Sequence, residues 1–150
     1  MSTHQLTTEI IARSHTKLWD IAKTEWLLEE IYEADEPDTC LCGHFPIREI
    51  CVLRNKINRN DAIVGNCCVK KFIGLPSDKI FQAVKRIRKD TEKSLNSEAL
   101  QYALEHRWIS EWEKDFYCDI MRKRNLSPKQ AVKKNEINEK FLRNMQRKTQ

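Results

Sequence analysis

Five of the six cysteines in this chain, Cys40, Cys42, Cys51, Cys67 and Cys68, fall within 29 positions. In a reducing compartment a cluster of that density reads as metal ligation before it reads as disulfides. Adjacent Cys67 and Cys68 are also awkward partners for each other in an ordinary bridge. The middle of the chain is therefore expected to take its shape from a bound ion.

The flanking sequence is polar. Of 150 residues, 33% are charged and 40% hydrophobic, with only 3 Gly and 4 Pro. So few turn formers argue against an all-β sandwich and favour helix. No apolar run approaches the ~18 residues that a membrane span needs. The opening Met-Ser-Thr-His-Gln-Leu-Thr-Thr-Glu lacks the basic-then-apolar pattern of a secretion signal, so a cytoplasmic setting is expected.

Helical spacing of Ile11, Leu18, Ile21, Leu28 and Ile31, with Trp19 and Trp26 beside them, predicts one long amphipathic helix from about Leu6 to Tyr32. The acidic stretch Glu33–Asp38, with Pro37, reads as a linker that stops it. Two short apolar runs, Ile47–Leu53 and Ala62–Gly65, surround an Asn-rich turn and read as a β-hairpin. Asn66 to Phe72 then resembles the first turn of a short helix ending near Gly74. Three more helices are expected. The first runs from Ser77 to about Lys93, with Ile80, Val84 and Ile87 inward. The second opens at Asn96 or Ser97 and continues to Ile120, and the third is capped by Ser127-Pro128-Lys129-Gln130 and striped by Ile137, Phe141 and Met145. Cys118 reads as a core thiol of the second. The expected fold class is mainly α with a small β-hairpin. Its parts are an N-terminal helix and acidic linker (1–38), a zinc module (39–75) and a three-helix region (76–150).

Zinc takes four ligands tetrahedrally from thiolates and imidazoles. Cys40-Leu41-Cys42-Gly43-His44 supplies a tight knuckle, and the hairpin returns Cys67-Cys68 beside it. Knuckle, hairpin and helix in that order follow the logic of a treble-clef finger. Cysteines at a helix start are also favoured as thiolates. The expected ligands are Cys40, Cys42 and Cys68, with His44 fourth and Cys51 or Cys67 as competitors.

The segment CLCGHFPIREICVLRNKINRNDAIVGNCCVKKFIG resembles a cysteine module of small proteins encoded by bacteriophages, prophages and plasmids. The shared positions are Cys40, Cys42, Gly43, His44, Arg54, Asn55, Val64, Gly65, Cys68, Val69 and Phe72. The later WISEWEKDFYCDIMRKRNLSPKQ is similar to a Trp-rich helix followed by Leu-Ser-x-Lys-Gln in such proteins. The resemblance implies a zinc fold in a mobile-element protein, with Cys68 as the ligand and Cys67 as the extra cysteine; it implies no reaction.

Charge alternates along the chain. Residues 1–39 hold 3 basic against 9 acidic side chains, 40–89 hold 11 against 3, 90–120 hold 3 against 8, and 121–150 hold 10 against 2. The basic blocks either pair with the acidic ones or converge on a polyanion. The leading functional expectation is an accessory protein that binds DNA or RNA through charge, with little sequence specificity. Its cations would be Arg48, Arg54, Lys56, Arg59, Lys70, Lys71, Lys85, Arg86, Arg88 and Lys89. Arg122, Lys123, Arg124, Lys129, Lys133 and Lys134 add a C-terminal group. An alternative is a module that binds or inhibits a host protein through Trp26, Trp108 and Trp112, although core packing is the simpler role for tryptophans. A metal-dependent nuclease is disfavoured, because the zinc site already claims His44 and the other histidines stand without a paired acid. An enzyme is thus not expected.

Overall fold

The computed structural model describes residues 3–147. The chain forms two compact units. One runs up to Asp78 and takes the chain back at Gln146, and the other is Lys79–Met145.

In the first unit, helix α1 (Thr3–Arg13) buries Leu6 and Ile10 and then stops. A single turn, α2 (Trp19–Ala22), runs through a tight 3-10 turn at Lys23–Glu25 into strand β1 (Trp26–Asp38). Antiparallel to β1 lies β2 (Ile47–Asn55), and antiparallel to β2 lies β3 (Asp61–Gly65). One turn of helix, α3 (Asn66–Cys68), and a wider helical turn at Val69–Ile73 follow. The two-residue β4 (Gln146–Arg147) adds to β1 in parallel, so the sheet order is β3-β2-β1-β4.

The expectation of a mainly α chain with a small hairpin is thus corrected: the fold is mixed α/β. The hairpin is present as β2 and β3, but β1 extends it where a long helix and an acidic linker were expected. A β-bulge explains the false helical signal. Between Leu28 and Glu30 the register shifts, leaving Glu29 as an extra residue. Leu28 then stands opposite Leu53, and Ile31 opposite Cys51, two positions apart on β2 and on one face. Residues three apart in an unbroken strand would face opposite ways. The bulge turns the strand's period of two into an i, i+3 spacing that imitates a helix. Leu18 and Ile21, assigned to the same stripe, are exposed.

The break after α1 is imposed by a distant carboxylate. Glu25, 2% exposed, accepts from the backbone N–H groups of His15 (2.8 Å) and Thr16 (2.9 Å) and from the Asn55 side-chain amide (2.9 Å). Asn55's amide, against the opposing cost of burial and together with the two backbone donors, holds this carboxyl down at about 2. Asn55 also accepts from the N–H groups of Ile57 (2.8 Å) and Asn58 (3.1 Å), which fixes the turn between β2 and β3. The amides of Asn58 and Asn60 donate to the Arg13 carbonyl at 2.9 Å each, satisfying an acceptor that the end of α1 leaves open.

The second unit holds four helical segments: α4 (Ser77–Lys89, apart from its first two residues), α5 (Ser97–Glu105), α6 (Glu111–Ile120) and α7 (Pro128–Met145). Asn96 caps α5 by accepting from the Ala99 N–H at 2.9 Å. Ser127 and Gln130 form the expected reciprocal box at α7 (3.0 and 3.2 Å), and Ile137, Phe141 and Met145 are fully buried. The helix expected from Ser97 to Ile120 is two helices. Arg107 adopts a left-handed φ of 60°, and Ser110 restarts the chain with a second box, accepting from Glu113 N–H (3.1 Å) while Glu113 accepts from Ser110 N–H (3.0 Å). Cys118, expected in the core, is exposed. Among the described residues, no helix is long and apolar enough to cross a membrane.

Candidate metal centre

The first unit brings three of the predicted ligands together. The sulfurs of Cys40, Cys42 and Cys68 lie within 4.8 Å of one another, and all three side chains are buried. Cys40 and Cys42 sit on the turn that leaves β1, and Cys68 closes α3 directly after β3. The Leu41 N–H donates to the Ile63 carbonyl (3.1 Å), which fastens the turn to β3.

The turn is closed by its own backbone. Cys40 N–H donates to the His44 carbonyl (2.9 Å) and Gly43 N–H to the Cys40 carbonyl (2.8 Å). Gly43 has φ +94°, a conformation that strains any residue with a Cβ, and such a Cβ would also meet the Gln5 amide at 3.0 Å. Backbone donors converge on the sulfurs. Gly65 N–H (3.3 Å) and Cys42 N–H (3.5 Å) donate to Cys40 Sγ, and His44 N–H donates to Cys42 Sγ. At Gly65, whose own N–H is one of these donors, a Cβ would press on Ile47 Cγ2 at 3.1 Å.

The thiols do not titrate alike. Burial pushes Cys40 and Cys68 up, and for Cys68 the neighbouring Cys40 adds to it. Cys42 is held low: burial opposes its ionisation, but the His44 N–H and the thiols of Cys40 and Cys68 hydrogen-bond its sulfur and prevail. Cys42 therefore gives up its proton more readily than its two neighbours give up theirs. A cation entering such a cluster displaces those protons and takes over their role. Three buried thiols within reach of one ion, with N–H groups already aimed at sulfur, fit a thiophilic metal and can hold a metal ion.

The other predicted ligands stand outside this trio. His44 is exposed and lines the same cleft, of about 240 Å³, together with Arg48, Glu49, Asn66 and Cys67. Cys67 is exposed. Cys51 is buried on the sheet between Ile31 and Val64; burial lifts it to about 12, and it hydrogen-bonds Ser77. It behaves as a core thiol. Asn66, immediately before the cysteine pair, was not singled out from the sequence. Buried at 6% exposure, it accepts from Ser77 Oγ (2.7 Å) and donates to Glu49 and Asp78 (3.2 Å each), fixing the start of α3.

The basic residues differ in their partners and in their exposure. Arg48 donates to the Asp35 carbonyl at 2.6 Å, Arg54 pairs with Glu29 and Asp61 at 3.0 Å each, and Lys70 pairs with Asp78 at 3.3 Å. Lys56, Arg59 and Lys71 are exposed. In the second unit, Lys85, Arg86, Arg88 and Lys89 are all exposed on α4, whose Ile80, Val84 and Ile87 are buried. Of the C-terminal group, Arg122, Lys123, Arg124 and Lys129 are exposed. Lys133 pairs with Glu113 (3.2 Å), and Lys134 is buried and donates to the Glu92 carbonyl (2.9 Å). Trp26, a candidate contact residue, is 2% exposed and donates through Nε1 to Ser14 Oγ (2.9 Å), so it belongs to the core.

The fold and the cluster define a mixed α/β chain with a buried three-cysteine centre able to hold a metal ion. Comparisons with protein-family models, with curated proteins and with solved structures find no match to this chain.

Proposed function

We propose that this chain is a zinc-dependent accessory protein that binds nucleic acid through charge, with little sequence specificity. Zinc suits three thiolates, and our choice for the fourth ligand is His44, which lines the same cleft outside the trio, two residues after Cys42. Bound there, the ion supplies a structural cross-link between the turn after β1 and the start of α3. The resemblance of residues 40–74 to a module of phage and plasmid proteins is what supports a mobile-element setting in this reading.

The observation that carries the nucleic-acid reading is the grouping of four exposed cations, Lys85, Arg86, Arg88 and Lys89, on the solvent side of α4. Such a row meets a phosphate backbone without reading bases, and each phosphate contact adds ~0.7–0.9 to the salt slope. Arg48, Arg54 and Lys70 each keep a carbonyl or carboxylate partner that a phosphate would have to displace. The test is a titration of duplex DNA and of RNA across a salt series, with Lys85/Arg86/Arg88/Lys89→Glu as the comparison. The expected result is a steep slope in the native chain that flattens in the variant. Absence of binding at low salt would remove the reading.

A further inference from the structure

In the second unit, Trp112 is the one tryptophan among the described residues left mostly in solvent, at 63% exposure, yet it is not loose. Its ring stacks on Phe116, one turn along α6, with centroids 5.4 Å apart and planes 12° from parallel. Lys133 Nζ lies 5.8 Å from the Trp112 centroid, and the same ammonium is tied to Glu113 at 3.2 Å. Glu113 is in turn fixed by Lys140 (3.0 Å) and by the Ser110 capping box. One turn upstream, Trp108 packs edge-on against Phe141 and Tyr102, each at 5.2 Å, and anchors the start of this helix. The exposed ring is thus presented in one orientation, which lowers the ordering cost of binding.

Lys133, over the ring, is already held by Glu113, and the exposed charge that α6 itself carries beside the pair is acidic. Glu111, Asp115 and Asp119 are exposed at i, i+4 and i+8 on α6, next to Trp112 and Phe116 in the helical sequence. Lys114, the cation within α6, is turned to Gln101 at 3.0 Å. A stacked aromatic pair alone suits a nucleobase, but a row of carboxylates repels the phosphates that a nucleobase brings with it. The same row attracts lysine and arginine, and the rings offer them an apolar anchor.

We infer that the Trp112–Phe116 face of α6 is a docking surface for a cationic, apolar-bearing segment of a partner protein. This surface is independent of the nucleic-acid reading: its charge is opposite to that of α4, and it uses none of the same residues.

The test uses the full chain and two labelled synthetic peptides of one helical pattern, Leu and Phe on one face and either Lys or Glu on the other, followed by fluorescence anisotropy. The Lys peptide is expected to bind in a salt-sensitive way and the Glu peptide not at all. Trp112→Ala is expected to weaken binding about tenfold or more, as truncation of an aromatic anchor does. Glu111→Gln, Asp115→Asn and Asp119→Asn combined are expected to do likewise with far-UV circular dichroism unchanged, and Lys85/Arg86/Arg88/Lys89→Glu is expected not to weaken it. Equal binding to native chain and Trp112→Ala, as would follow if the peptide sat on the acidic Glu29–Asp38 segment instead, overturns the inference. So do equal binding of both peptides, no binding of either, loss of single-stranded DNA binding in Trp112→Ala, and self-association of the native chain abolished by that substitution.

Discussion

The two units solve the same problem, a small core under a highly charged surface, by opposite means. In Lys79–Met145 the helix starts are fastened locally. Asn96, Ser110 and Ser127 each cap the helix that follows them, and the stripe Ile137–Phe141–Met145 packs at plain helical spacing. In the unit ending at Asp78, α2 and α3 start without any side-chain cap. Order there comes from partners far along the chain: Glu25 with His15, Thr16 and Asn55, and three thiols drawn from positions 40, 42 and 68. A unit capped locally carries its own stability. In the proposed reading, a unit whose centre is three crowded thiols depends on the ion those thiols hold.

The largest test of that contrast is chelation. An apparent binding energy of ~10–16 kcal/mol for a structural zinc exceeds the stability of a small unit. Removing the metal, or substituting Cys68→Ser, is expected to abolish amide-exchange protection in β1, β2 and β3 while α5, α6 and α7 keep theirs. Uniform loss across both units would break the comparison.

A smaller effect is expected inside the second unit. Asn138, fully buried, accepts from Tyr117 Oη at 2.6 Å and donates to the carbonyls of Thr91 and Lys93 at 2.9 Å each, while Tyr117 Oη accepts from the Leu95 N–H. Asn138→Ala orphans several buried groups at once, so a loss of about 1–3 kcal/mol or more is expected in denaturant melts of the helical signal. The strands of the first unit should be unaffected.

The smallest effect is a pH dependence. Glu113 is held at about 2: burial opposes ionisation, but the Ser110 N–H, Lys140 and Lys133 outweigh it. Because its folded value lies below the ordinary 4.5, its contribution is complete above that pH and fades as pH falls toward 2. Melts of the second unit between pH 5 and pH 2 are expected to show a decline that Glu113→Gln flattens. An identical decline in the variant would assign the acid sensitivity elsewhere.

How much of this was legible in the sequence follows the same division. The Ser127–Gln130 box, the Asn96 cap and the Ile137 stripe were readable because each is a short-range rule satisfied within a few residues. The Ser110–Glu113 box obeyed the same rule and was overlooked because the apolar positions on either side of it kept helical spacing. β1 was misread for a reason no local pattern could correct, since the bulge at Glu29 is defined by register against β2. That Cys40, Cys42 and Cys68 come together was legible because the knuckle and the hairpin predict where the chain returns. The Glu25–Asn55 pair, thirty residues apart, carried no signal in composition or spacing. Exposure of Trp112 was equally hidden, because a helical stripe does not say which of its members the neighbouring helices cover.

The account rests on an ion held by Cys40, Cys42 and Cys68. Elemental analysis of the purified chain, beside native mass spectrometry before and after chelator, measures it directly. One zinc per chain, lost together with the fold of the first unit and lost again in Cys40→Ser, is the predicted result. A well-folded chain carrying less than half an equivalent of any metal and indifferent to chelator would contradict it.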